Sequence, residues 1–244
     1  MIERAYVRYR ESLPDNANTF AAAEGFTMQG VPVVPFYGFG DLKEYFDQGK
    51  LTKETIVCGH IGDVWEVLGF FGKQAPPPLD YPPHLKWLIS RRIWETTLGE
   101  ARQSADVFFV KPVKQKIFTG FIWDPADPRS RLNVAVCPDD TPVLCSELVD
   151  FKSEWRCFVR NDELVGVKHY KGDPSLGFDM DILKLAIKDG RGKMPAAHSL
   201  DVGRTATGDT ILVEANEGYS IGAYGLPSLI YSRFLEARWE ELMK

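Results

Sequence analysis

Apolar and polar residues alternate with a period of two over residues 4–9, the pattern of a half-buried strand. The period then lengthens to helical spacing over Asn18–Gly30, with Gly30 placed to end the helix. A short apolar run, Val31–Phe36, predicts a second strand, Asp41–Gln48 a helix and Thr55–Cys58 a third strand. Ile61, Val64, Trp65 and Leu68 fall on one face of a helix predicted over Ile61–Phe71. Strands alternating with helices predict an α/β lobe built on a parallel sheet.

The run Ala75-Pro-Pro-Pro-Leu-Asp-Tyr-Pro-Pro excludes helix interior and central strand, so it reads as a linker or a wrapping loop. One helix is expected after it, from Pro83 to Arg102. From Asp106 the texture changes to short strands: Asp106–Lys111, Ile117–Trp123, Pro142–Val149, Glu154–Arg160, Leu164–Tyr170, Leu200–Thr205 and Thr210–Asn216. Helices over Met180–Lys188 and Pro227–Leu242 complete the list, Pro227 standing as at a first helical position. The fold class is therefore α/β (α+β): an N-terminal α/β lobe and linker helix over 1–105, a small β lobe over 106–152 and a C-terminal lobe over 153–244. Clefts between such lobes are the usual place for ligands.

At 244 residues the chain is long enough to bury a sizeable core, and a net charge of −5 argues against bulk nucleic-acid or acidic-membrane binding. No apolar run reaches the length of a membrane span, and the first residues lack a signal-peptide core, so a cytoplasmic protein is expected. Oligomeric state is not legible. Cys58, Cys137, Cys145 and Cys157 form no CxxC pair and the four histidines no zinc spacing; reduced cysteines in strands are expected.

The sharpest cluster of candidate chemistry lies in Asp201–Asn216. A two-residue turn at Thr207-Gly208 sets Asp201 opposite Glu214, with Asn216 on the same face. Carboxylates about 5 Å apart at an effective dielectric near 20 repel by roughly 3 kcal/mol. A divalent cation would compensate, and two carboxylates with an amide suit magnesium carrying a nucleotide phosphate. Screening by water on a solvent-facing hairpin would serve too. Without metal, changing either acid to its amide is expected to stabilise the protein.

A buried-looking strand ends in Lys111-Pro112, and Lys114 and Lys116 follow, grouping cations suited to phosphate oxygens or simply a solvated basic turn. A further hairpin carries Arg156 and Lys168. A three-residue turn at Asn161–Glu163 opposes them, whereas a two-residue turn at Asn161-Asp162 pairs Lys168 with Trp155 instead. Gly218-Tyr-Ser-Ile-Gly222 matches the G-x-S-x-G elbow, but no histidine or aspartate follows it, so a serine hydrolase is excluded. No P-loop and no G-x-G-x-x-G occur.

In their order, Phe109-Val-Lys111-Pro112, Lys116-Ile-Phe-Thr-Gly120, Ser146-Glu-Leu-Val149, Glu154-Trp-Arg156, Val213-Glu-Ala-Asn-Glu-Gly218 and Gly222-Ala-Tyr-Gly225 resemble the ATP-grasp superfamily, in particular its small stand-alone bacterial and phage members. The resemblance covers residues 106–226 and implies ATP held between two antiparallel lobes. Lys111 and Lys116 would reach the phosphates. Glu147, Leu148 and Val149 would meet the adenine, with Asp150 or Glu154 near the ribose. Asp201, Glu214 and Asn216 would hold Mg2+, and Arg156 and Lys168 would stand near the γ-phosphate and acyl phosphate. The implied activity is ATP-dependent activation of a small-molecule or peptide carboxylate for capture by an amine or thiol. A phosphotransferase on the same fold and a nucleotide-gated binding protein are the alternatives. The match is loosest at Asp201, and the glycine-rich phosphate loop of many relatives is reduced here to Val113–Thr119.

Overall fold

The computed structural model describes residues 2–114 and 116–244. Its first lobe contains β1 (Arg4–Arg10), β2 (Leu13–Pro14), α1 (Ala17–Met28), β3 (Val33–Phe36), α2 (Phe39–Asp47), β4 (Thr55–Cys58) and α3 (Ile61–Phe70). β1 lies between β3 and β4, parallel to both, and β2 pairs antiparallel with its end. The Asn16 side chain caps α1 by accepting from the Asn18 and Thr19 amides, while Thr19 Oγ1 accepts from Asn16 N.

The single helix expected over 83–102 is broken in two. A 3-10 turn (Pro83–Leu85) and α4 (Lys86–Ile89) end at Ser90, whose φ of 50° is left-handed. β5 (Ile93–Thr97) follows, then α5 (Leu98–Gln103). Ile93-Trp94-Glu95-Thr96-Thr97 is β-branched and aromatic, and it pairs with β8 to bury Trp94 beside Phe108. Thr97 and Glu100 form a capping box, a sequence signal that a new helix starts there.

β6 (Phe108–Pro112), β7 (Phe121–Trp123), α6 (Pro128–Leu132) and β8 (Pro142–Ser146) complete an antiparallel sheet of order β5-β8-β6-β7. Its own small core holds Leu98, Val110, Trp123, Val143 and Cys145.

The second antiparallel sheet, of order β10-β9-β11-β12, comprises β9 (Phe151–Arg160), β10 (Glu163–Gly172), β11 (Ala197–Thr205) and β12 (Thr210–Glu217). Cys157, Val159, Leu200, Val202, Leu212 and Ala215 on one face pack with Leu183 and Ala186 of α7 (Met180–Gly190). The opposite face receives α8 (Ser228–Met243) at one end, where Phe158 meets Phe234 edge-on at 5.4 Å. Leu226 lies so close to Gly166 on this face that a Cβ there would sit 2.2 Å from its side chain. The rest of this face carries charge. Among the described residues, no helix is long and apolar enough to cross a membrane.

Candidate functional site

Four charged residues cross the large sheet in one continuous row. Lys168 is paired with Arg156, Arg156 with Asp201, and Asp201 with Glu214, one residue from each of the four strands. Cross-strand partners share a face, so two cations run directly into two anions.

Two β-bulges bring about this register. The β9–β10 turn is the two-residue Asn161-Asp162, both with positive φ as a type I′ turn requires. Continued without interruption, it would set Val167 opposite Arg156. A bulge at Val165 shifts the ladder by one and brings Lys168 there instead. In the β11–β12 hairpin the turn is Ala206-Thr207-Gly208, one residue longer than expected, closed by Thr205 N donating to Asp209 O at 2.9 Å. Gly208 takes φ of 92° in it. A bulge at Val213 then restores the expected Asp201–Glu214 pairing and turns Glu214 to the charged face.

The protein's own cations answer the repulsion between the carboxylates. Arg156 binds Asp201 bidentately, Nε to Oδ1 at 2.9 Å and Nη2 to Oδ2 at 2.6 Å, and both residues are buried. Burial raises the Asp201 pKa, and Arg156 opposes that shift. Asn216 Nδ2 donates to Asp201 Oδ2 at 3.3 Å. Tyr170 and Tyr224 stack on each other, and the Arg156 guanidinium lies over both rings. Glu214 meets Lys111, whose Nζ crosses from the small sheet to Oε2 at 3.0 Å. Lys168 has no hydrogen-bond or ion-pair partner among the described residues.

Lys111 has a second partner not foreseen from sequence, Asp80 of the proline-rich run, at 2.6 Å. Burial works to lower the Lys111 pKa, but Glu214 and Asp80 together raise it. The run is a strap: the Asp80 carbonyl accepts from Ala215 N at 2.7 Å, and Tyr81 lies 5.1 Å beneath Lys111. It roofs a cavity of about 610 Å³ lined also by Val113 and Leu144 of the small lobe and by Arg91. Lys114 and Lys116 are exposed, and Lys116 lines a separate cavity of about 370 Å³ with Asn216, Tyr219, Ser220, His60 and Asn18.

Glu147, Leu148, Val149 and Asp150 form the connection from β8 to β9, between the two antiparallel sheets. Glu147 accepts from Arg92 N at 2.9 Å, and Asp150 pairs with Lys152. Leu148, Val149 and Asp150 line a cavity of about 700 Å³ together with the β11–β12 turn. Glu154 is buried on the Arg156 face, accepting from Tyr170 Oη at 2.7 Å and Lys171 Nζ at 2.6 Å.

For magnesium, the candidate oxygens are those of Glu214, Asn216 and Asp201. Among the described residues no group of three His, Cys, Asp or Glu side chains could hold a metal ion, so the set depends on the Asn216 amide. It fits a hard cation: Asn216 binds Asp201 through nitrogen, leaving its oxygen, and each Asp201 oxygen retains a lone pair beyond its Arg156 bond.

Ser220 of the G-x-S-x-G match donates to Gly59 O at 3.0 Å and has no role as a nucleophile. All four cysteines are free; Cys58, Cys145 and Cys157 are in strands and buried, while Cys137 lies between α6 and β8.

Two antiparallel sheets joined by a short connection, with a lysine of one reaching a carboxylate of the other, define an ATP-grasp protein. Residues 88–234, more than half the chain, match an ATP-grasp domain family, the second of its clade, and the chain belongs to that family. Members of the wider ATP-grasp family are ATP-dependent carboxylate–amine ligases that bind ATP and magnesium. The fold is similar to that of D-alanine–D-alanine ligase from Bacillus anthracis, with a TM-score of 0.60 at 13% identity over 100% of this chain and 98% of that one. It is also similar to a RimK domain ATP-grasp protein from Sphaerobacter thermophilus, with a TM-score of 0.58 at 14% identity over 95% and 98% of the two chains. L-amino acid ligase from Bacillus licheniformis gives a TM-score of 0.61 at 10% identity over 98% of this chain and 75% of that one. No curated protein matches the chain.

Proposed function

We propose that this protein is an ATP- and magnesium-dependent ligase that activates a carboxylate as an acyl phosphate and passes it to an amine. The observation that carries the reading is the row Lys168–Arg156–Asp201–Glu214, met from the opposite lobe by Lys111. Two cations beside two acids supply what phosphoryl transfer needs, charge neutralisation next to a place for a metal. Bound magnesium would neutralise phosphate charge at Glu214, Asn216 and Asp201. Lys111 and Lys116 grip the phosphates in this reading. The β8–β9 connection (Glu147, Leu148, Val149 and Asp150) receives the adenine, and Asp150 or Glu154 stands near the ribose.

A substrate carboxylate oxygen attacks the γ-phosphorus, and ADP leaves. The amine then adds to the acyl carbonyl, inorganic phosphate leaves, and the amine gives up a proton. Lys168 and Arg156 stand where charge builds in both steps, and no side-chain nucleophile is required. The cavity that joins Lys116 and Asn216 to the first lobe offers room for the substrate. Support for an amino-acid or peptide substrate comes from similar folds: D-alanine–D-alanine ligase crystallised with ATP, and the ATP-grasp ligase PsnB with a minimal precursor.

The test is incubation with Mg-ATP, a pool of amino acids and short peptides, and hydroxylamine. Equimolar ADP, phosphate and a hydroxamate are expected. A stable phosphorylated product without hydroxamate would assign a phosphotransferase, and no nucleotide consumption with any pool would leave a binding protein.

A further inference from the structure

Arg91 stands just after the left-handed Ser90, between α4 and β5, where both lobes and the strap meet. All five of its N–H donors are used. Nε donates to Ser146 Oγ at 2.9 Å, and Nη1 to the carbonyls of Ile89 at 3.1 Å and Leu212 at 2.7 Å. Nη2 donates to Val213 O at 2.9 Å and Tyr81 Oη at 3.4 Å. The guanidinium also lies over the rings of Tyr81 and Phe151, at 5.3 and 5.9 Å. No carboxylate pairs with it among the described residues. A cation so placed gains nothing from a counter-charge; what it does is fix geometry.

Leu212 and Val213 are the residues at the β12 bulge, the irregularity that turns Glu214 towards Asp201. A bulge leaves backbone groups outside the ladder and bends its strand, and it keeps one shape only if those groups are held. Arg91 holds both carbonyls with one planar fork and, through Ser146, ties them to the end of β8. We propose that Arg91 is the positioning residue of the metal strand: it locks the Val213 bulge and so sets the direction of the Glu214 carboxylate. The proposal rests on the magnesium-nucleotide reading above. Lysine, a point charge without the fork, does not replace it.

The experiment compares wild type with Arg91→Lys by calorimetry, using AMPPNP without metal and then magnesium titrated into the AMPPNP complex. The expected result is AMPPNP affinity within twofold of wild type and magnesium affinity weaker by tenfold or more. Arg91→Gln, which keeps a planar amide donor, is measured in the same way if Arg91→Lys does not fold. A folded variant with a lower melting temperature and unchanged magnesium affinity would reduce Arg91 to a structural tie and overturn the proposal. Wild type that binds AMPPNP with no magnesium response would instead overturn the metal reading itself, and this proposal with it.

Discussion

Arg156 grips Asp201 through two parallel hydrogen bonds in the interior of the large sheet, 2.9 and 2.6 Å long. This pairing reverses the effect expected from two facing acids. Replacing Asp201 by its amide does not relieve a repulsion but strands a buried guanidinium. Asp201→Asn is expected to destabilise the metal-free protein by about 3–5 kcal/mol, the usual cost of breaking a buried pair. Denaturant unfolding measures it, and a gain in stability would show that the pair is not formed in solution.

Glu214 behaves differently because it is about one-third exposed and its partner Lys111 keeps Asp80. Glu214→Gln is expected to change stability by no more than about 1 kcal/mol. Nucleotide turnover should nevertheless be lost, and ADP release measures that. Turnover at the wild-type rate would remove the β12 acids from the chemistry.

Lys111 and Asp80 give opposite expectations. Lys111→Ala removes a buried cation and should weaken ATP binding by about 2–3 kcal/mol, the value of a hydrogen bond to a charged group. Lys114→Ala, on an exposed turn, should leave it unchanged. Asp80 holds Lys111 where a phosphate oxygen would go, so Asp80→Asn should tighten ATP binding. Weaker binding by Asp80→Asn would mean that the strap assists the nucleotide.

His198 on β11 is buried, with Nδ1 3.0 Å from the Pro195 carbonyl, and burial lowers its pKa to about 4. The unfolded chain protonates it near 6.5, so its neutral form contributes stability fully above that pH. The contribution is lost as pH falls from 6.5 to 4, by about 3 kcal/mol in all. Unfolding free energies across this range should fall less steeply for His198→Asn, and an identical slope would contradict the assignment.

Much of this architecture is legible in the chain's periodicity, and the Asp201–Glu214 pairing is too, though by a different route. The expected two-residue turn is a three-residue turn, and the bulge at Val213 cancels the difference. At Arg156–Lys168 the two expected alternatives combine, a two-residue turn with the pairing of the longer one, again through a bulge. Bulges depend on what holds the strand from outside, and spacing carries no trace of that. β5 was hidden because its apolar residues also fit a helix, while the Thr97–Glu100 box marked the true helix start. Asp80 and Arg91 lie in segments read as linker and helix, and only the tertiary fold brings them to Lys111 and the β12 bulge.

The central claim is that Lys111, Glu214, Asn216 and the Lys168–Asp201 row form a site for magnesium and ATP. Calorimetric titration of the wild-type protein with AMPPNP, with and without magnesium, addresses it most directly. The account predicts one nucleotide per chain, bound more tightly with magnesium, and loss of binding in Lys111→Ala. A folded protein that takes up no heat from AMPPNP in either condition would contradict it.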